Sequence, residues 1–362
     1  MTEFPGGEKG LNCNSREQWP FVSVVTLNFN GRLFLKRCLE SILRSDYDNF
    51  EVILVDNAST DGSVGYVLEN FGQFTKLRIV CNESNLGVPG GFNVGSRVAK
   101  GEYIVFQEND IEVEPGWLKE LIKPMENDKT IGATQGKVLY MHEHNIIDSA
   151  GGLLDSCGLT YRRGHGERDK DQYNKVAEIF MVHSVAMAFR KSVLIKVGLF
   201  DPKFFLDKFD TDLCLRIWIS GARVIYVPSS LTYHRGGGSA KEIAKRHDDA
   251  TWTGHSTRAL LLMALKNYQA VTLAKYLPLH LTLIFGYTLY KTFESRNPWY
   301  LWRTFTRPII WSLLDFRRTW SDRLKVKSIR KVPDKEITKK FLLRPFRIQE
   351  FLCRLTAKND SK

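Results

Sequence analysis

A chain of 362 residues exceeds what one hydrophobic core usually sustains, and 43% apolar with 25% charged residues excludes wholesale disorder. A mean hydropathy of −0.25, with no uninterrupted apolar run of about 18 residues, excludes a multi-span membrane protein. The net charge of +12 is confined to one end: Lys291 to Lys362 holds 19 Lys/Arg against 7 Asp/Glu, so residues 1–290 are neutral.

No basic start followed by an apolar stretch opens the chain, so no secretory signal is expected. The six cysteines are scattered without a C-x-x-C pair, which suits a reducing compartment and argues against a disulfide scaffold or a zinc site. The first predicted strand is Phe21 to Leu27, a β-branched run closed by Asn30-Gly31. Leu33, Leu35, Cys38, Leu39, Ile42 and Leu43 then recur at helical spacing. Further strands are predicted at Val52–Val55, Leu77–Val80 and Tyr103–Phe106, separated by polar or glycine-rich turns and a helix through Val94 and Val98. Alternation of this kind predicts an α/β fold with a largely parallel sheet, whose ligands bind beyond the carboxyl ends of the strands. Those ends carry Asn28, Asp56, Asn85 and Glu108-Asn109-Asp110. Turn residues are common at strand ends, but four consecutive polar ends on one rim point to a site.

Glu108 and Asp110, spaced i, i+2 at a strand exit, suit a hard cation that shares its shell with diphosphate oxygens. Neither G-x-x-x-x-G-K-[ST] nor G-x-G-x-x-G follows the first strand, which removes the usual signatures of P-loop and dinucleotide chemistry. The Gly87–Gly95 cluster reads equally as a ligand cradle or a close-packed loop. Asp210 and Asp212 fall in the first turn of a predicted helix, where the dipole favours carboxylates and where a base at a pocket edge could also sit. A strand is predicted over Arg223–Val227, followed by His234 beside a glycine-rich segment.

In the basic region, Trp299, Trp302, Trp311 and Trp320 interleave with the charges, and Tyr276–Tyr290 is uncharged between Lys275 and Lys291. Solvated helix faces, nucleic acid and anionic lipid each account for such charge; the aromatic interleaving favours interfacial burial at a membrane surface over crossing it or stacking on bases.

In chain order, VSVVTLNFNGRLFLKRCLESI, VILVDNASTDGS, NLGVPGGFNVG, GEYIVFQENDIEVEPGWL, FDPKFFLDKFDTDLCLR and TYHRGGGS resemble the inverting, nucleotide-sugar-dependent family 2 glycosyltransferases of GT-A fold, especially their rhamnosyltransferase-like branch. The resemblance covers about residues 20–240 and implies an N-terminal tail over 1–19, a catalytic domain over 20–240 and a helical basic region over 241–362. It implies that Thr26, Asn28 and Asp56 line the nucleotide pocket, with Asn85 and Gly87 alongside. Glu108-Asn109-Asp110 takes the D-x-D position, with Asp110, His234 and potentially Glu108 binding Mg²⁺ or Mn²⁺. Asp210 matches the Asp of the Glu-Asp pair that supplies the general base, and Ser184 and Asp212 fall in the acceptor region. Two departures stand out: Phe209 replaces the Glu of that pair, and Ser184 replaces a usual Gly.

The implied partners are a UDP- or dTDP-sugar donor, such as a rhamnose donor, and a glycan or lipid-linked glycan acceptor. The expected location is the cytoplasmic face of the cell membrane, on anionic lipid, without nucleic acid. The competing readings are a degenerate transferase serving as a membrane assembly partner, and a nucleotidyltransferase.

Overall fold

The computed structural model describes residues 19–154, 159–236 and 249–341. Gly237, Gly238 and Ser239 of the predicted glycine-rich segment lie outside the described residues, as do Cys13, Cys157 and Cys353.

The β-branched runs form strands close to where expected: the first is shifted by one residue, leaving Phe21 outside and adding Asn28, and the next three are extended by one to three residues. They are β1 (Val22–Asn28), β2 (Phe50–Asp56), β3 (Leu77–Cys81) and β4 (Tyr103–Glu108). Then follow β5 (Ile111–Val113), β6 (Ile131–Tyr140), β7 (Ile147–Ser149), β8 (Gly152–Leu154), β9 (Thr160–Arg162), β10 (Ala177–Glu178), β11 (Ala186–Arg190) and β12 (Arg223–His234). Six helices lie among them: α1 (Arg32–Leu43), α2 (Ser63–Phe71), α3 (Gly87–Val98), α4 (Trp117–Asn127), α5 (Lys191–Val197) and α6 (Phe209–Ile219).

The main sheet runs β10-β12-β6-β11-β4-β1-β2-β3. β3, β2, β1 and β4 are mutually parallel; β2, β1 and β4 read as near-continuous apolar runs because both their faces are covered, while β3, at the sheet edge, is only half-buried. Val24, Val52 and Val105 face a core shared with Leu39, Trp117 and Leu121, while Val25, Ile53 and Phe106 face Phe92, Phe200 and Phe209.

The sheet is mixed rather than largely parallel, because β11 enters antiparallel between β4 and β6. Antiparallel entry sets the start of β11 beside the end of β4, with Ala186 opposite Gln107. The predicted Arg223–Val227 strand is likewise only the first half of β12, which continues past a register shift to His234. A bulge re-aims the strand, and its far end pairs with β5, so that His234 stands opposite Ile111. These two features deliver the second half of the site to the end of β4.

The C-terminal helices join the same core. In the Asp249–Asn267 helix, Leu260 to Ala264 are all buried. Phe341 packs on Trp218 and edge-on against Phe180, with ring centroids 4.8 and 5.7 Å away. Tyr276–Tyr290 lies within the Ala270–Ser295 helix, and among the described residues no helix is long and apolar enough to cross a membrane.

Lys266, 6% exposed at its side chain, bridges Asp201 at 2.9 Å and Asp212 at 3.0 Å. Removing one partner from a buried pair strands the other charge. Lys266→Met is expected to lower unfolding free energy by about 3 kcal/mol, the lower end of that class because Arg216 still faces Asp212. Urea denaturation of the two proteins checks this.

Candidate active site

The ends of β1, β2 and β4 are laced together by side chains. Asn28 Nδ2 donates to Asp56 Oδ1 at 2.8 Å and to Ser59 Oγ at 3.1 Å, and Asn28 Oδ1 accepts from Asn109 Nδ2 at 2.6 Å. Asp56 Oδ2 accepts from the Ser59 backbone N–H at 2.8 Å, so the turn after β2 folds over its own carboxylate. The Asn109 amide sits so close to Gly31 that a Cβ there would lie 1.9 Å from Nδ2, which explains the glycine of Asn30-Gly31. Asn57 Nδ2 donates to Asn85 Oδ1 at 2.8 Å, and the Gly87 N–H donates to the same oxygen at 2.9 Å.

Beyond this lattice, Glu108, Asp110 and His234 each offer one ligand atom, all within 4.8 Å of one another. His234 Nε2 is 3.5 Å from Asp110 Oδ1 and 3.8 Å from Glu108 Oε2. Its Nδ1 donates to Asp148 Oδ2 at 2.7 Å, which fixes the ring with Nε2 toward the two carboxylates. Asp148, on β7, is fully buried and also meets Arg162 and His165. Two carboxylates and an imidazole held by a further carboxylate are a donor set for a hard or borderline divalent cation, and so fit the Mg²⁺ or Mn²⁺ expected from the sequence.

The electrostatics follow from crowding. Burial and then the Asp110 charge push the Glu108 carboxyl up, and a 2.8 Å bond from Ser184 Oγ partly offsets this. Burial alone would lower His234, but Asp110 and Asp148 overcome it and raise the imidazole to about 10. Burial likewise works to raise Asp148, and its bonds to His165 and His234 bring it well below the usual carboxylate range.

Asp210 lies in the first turn of α6, 7% exposed. Burial raises it to about 6, with the Thr211 N–H at 2.6 Å and the Lys208 charge holding it from going higher. The segment Met181–Ser184 ties the two carboxylate centres together. Ser184 bonds Glu108 at one end, and Thr211 Oγ1 lies 2.9 Å from Met181 Sδ at the other. Three residue steps of extended chain span at most about 11 Å, so Glu108 and Thr211, the neighbour of Asp210, meet the two ends of one short strip ahead of β11.

A family model, "Glycosyl transferase family 2", matches residues 23–198. The match covers just under half of the chain and makes residues 23–198 similar to a family 2 glycosyltransferase domain. Family 2 is an inverting family. An uncharacterized glycosyltransferase of Haemophilus influenzae is 24% identical over 181 residues, covering 49% of this chain and 54% of that protein. A glucosyl-dolichyl phosphate glucuronosyltransferase of Haloferax volcanii is 22% identical over 254 residues, covering 67% of this chain and 78% of its own. The chain thus spans about half the length of the first relative and more of the second. The crystal structure of GalNAc-T7 with UDP, GalNAc and Mn²⁺ shares the fold at TM-score 0.57 and 18% identity, covering 70% of this chain and 49% of that one.

The residues expected from the sequence divide into two groups. Asn28, Asp56, Asn85 and Asn109 gather in the strand-end lattice, and Glu108, Asp110 and His234 in the acidic cluster. Others differ from expectation. Thr26 is fully buried, its hydroxyl accepting from Gln107 Nε2 at 3.1 Å, so it supports the pocket floor rather than lining open space. Asp212, expected on the acceptor side, is fully buried between Arg216, Lys266 and Asn267. Burial would raise it, yet those cations hold it at about 2, which makes it a structural carboxylate. Gly87 is a packing glycine: at φ 71° a Cβ would lie 2.4 Å from the Phe205 carbonyl oxygen. Phe209 completes an aromatic cluster, its ring 5.5 Å from Phe200 and 6.2 Å from Phe92.

Sequence reasoning missed Asp148. It stands in a short Ile-Asp-Ser strand with no motif around it, and only the β6–β7 pairing brings it to His234. Asp148→Asn would leave the ring without its anionic anchor, so Mn²⁺ affinity is expected to fall about 10- to 100-fold, measured by calorimetry.

Proposed function

We propose that this chain transfers a sugar from a nucleoside diphosphate donor to a hydroxyl of a glycan or lipid-linked glycan, inverting the anomeric carbon. The observation that carries this reading is the pairing of two unlike carboxylate centres across Met181–Ser184. One is a cluster suited to a cation, and the other a single buried carboxyl raised to about 6.

Asp210 takes the proton from the acceptor hydroxyl as that oxygen attacks. A group titrating near 6 is ionised at neutral pH yet more basic than an exposed Asp, which is the balance a general base needs. Asp110 and His234, with Glu108, would hold a divalent cation, Mg²⁺ or Mn²⁺, which would supply positive charge to offset that of the departing diphosphate. Asp148 keeps the His234 ring aimed, and Ser184 orients Glu108. Asp56 reads the nucleotide base in this proposal, with Asn85 alongside; the bonds that fix Asp56 to Asn28 and Ser59 support that reading.

The donor is read as a UDP- or dTDP-sugar, with rhamnose supported by the resemblance of the motifs to the rhamnosyltransferase-like branch. The printed name of the Haloferax volcanii relative supports a lipid-linked acceptor, and the basic C-terminal region supports an anionic, cytoplasmic membrane face as the place of reaction. Phe209, in the place of the usual Glu, favours a second reading, a transferase-like assembly partner without turnover. Release of nucleoside diphosphate from a panel of nucleotide sugars, with Mn²⁺ and with chelator, separates the two: cation-dependent release is expected, and none from any donor would favour the assembly partner.

Asp210→Asn is expected to lower kcat by about 10²- to 10⁴-fold while donor affinity stays unchanged in calorimetry. Because the base works ionised, wild-type kcat should fall as pH drops below about 6, roughly tenfold per unit. That acid limb should vanish in the variant; a variant turning over at the wild-type rate would remove Asp210 from the role.

A further inference from the structure

After Ser295 the chain runs through Trp299–Leu301, a π-turn at Trp302–Thr306, and the helices Arg307–Leu314 and Phe316–Ile329. Along this stretch Trp299, Trp302, Ile310, Leu313, Trp320 and Leu324 are all exposed, Leu313 by 68% and Trp299 by 67%. This apolar stripe is carried by successive helical pieces, parted by the π-helical turn and by Asp315, and Leu314, 79% exposed, and Phe316 are exposed along with it.

The charge on this stretch is one-sided. Residues 299–329 contain seven Lys/Arg and two acids, Asp315 and Asp322. Both acids turn inward, each 3.1 Å from Lys203 Nζ. Arg307, Arg317, Arg318, Lys325 and Lys327 remain exposed beside the apolar stripe.

We propose that this stripe is a lipid-docking face that seats the protein on an anionic bilayer, with its tryptophans at headgroup depth. It rests on the proposed reaction at a membrane surface and names the chain's own contact with it. Large contiguous apolar exposure on a folded protein marks an interaction site. Amphipathic Trp and Leu flanked by Arg and Lys match the interface of an anionic bilayer, where basic side chains meet lipid phosphate. A second copy of the chain would set cationic face against cationic face, and nucleic acid would leave Ile310, Leu313 and Leu324 without an apolar partner. The acceptor side is coupled to this platform. His255, in the Asp249–Asn267 helix, stacks on Phe205 at 5.8 Å, and Ser256 Oγ donates to Asp207 Oδ2 at 2.6 Å. The π-turn and the helices of the stripe pack on that same helix.

The test is co-sedimentation of the full chain with vesicles of phosphatidylcholine alone and of equal parts phosphatidylcholine and phosphatidylglycerol, with tryptophan emission as a second readout. The wild type should bind the anionic vesicles with a blue shift and should release in high salt. L313E/W320E and R317E/R318E should each bind them at least about tenfold more weakly. Donor hydrolysis should be unchanged in both variants, which shows that their fold is intact. Undiminished binding by both variants, absence of wild-type binding, or a wild-type dimer that L313E/W320E dissociates would overturn the lipid face. Failure of donor hydrolysis by a wild type that still binds vesicles would instead overturn the transferase reading alone.

Discussion

Three carboxylates, Glu108, Asp110 and Asp148, converge on one imidazole at the carboxyl end of the sheet, and the rest of the site is arranged around balancing them. In a desolvated setting like charges raise one another, as the elevated Glu108 shows, unless cationic or hydrogen-bonding partners intervene. His234 and Arg162 provide that compensation in the chain itself. A divalent cation would compete with the proton on His234 Nε2 for the same position. The fold therefore brings together a set of groups that is poorly balanced alone and well suited to a dication. Such unbalanced charge is the physical mark of a functional site rather than of a structural ion pair.

Asp210 and Asp212 show how two carboxylates two residues apart acquire opposite characters. Both are buried in the first turn of α6. Asp212 faces Arg216, Lys266 and Asn267 and is held near 2, whereas Asp210 has backbone and hydroxyl donors from Thr211 and a more distant Lys208 charge, and rises to about 6. Environments that drive paired titratable groups apart divide the labour between structure and chemistry. Lys266 makes that division depend on the C-terminal helices, since it reaches back from the Asp249–Asn267 helix to both ends of the segment that carries Asp210. The C-terminal helices are thus part of how the segment carrying Asp210 is held.

The order of strands and helices in the first half, and the polar character of the strand ends, were legible because they depend on local pattern. β-branched runs covered on both faces read as parallel strands, and asparagines and aspartates at their ends read as a rim. Asn28, Asp56, Asp110 and Asp210 all emerged in this way or through the motifs around them. Thr26 and Asp212 were misread for one reason: a polar residue in a motif has the same letter whether it faces a ligand or a buried partner. Asp148 and Lys266 escaped notice because their partners lie 86 and 54 residues away, at His234 and Asp212, with no motif to link them.

By itself the sequence determined the elements, the rim and the identity of the chemical groups, since these follow from side-chain period, backbone preference and ionisation, which are properties of neighbours along the chain. The tertiary structure alone decided which groups meet. The antiparallel entry of β11 brings Ser184 to Glu108, and the bulged continuation of β12 brings His234 to Asp110. Partners then decided which aspartate keeps its proton longest: both are buried, but only Asp212 faces Arg216 and Lys266, cations brought to it by packing and not by its place in the chain.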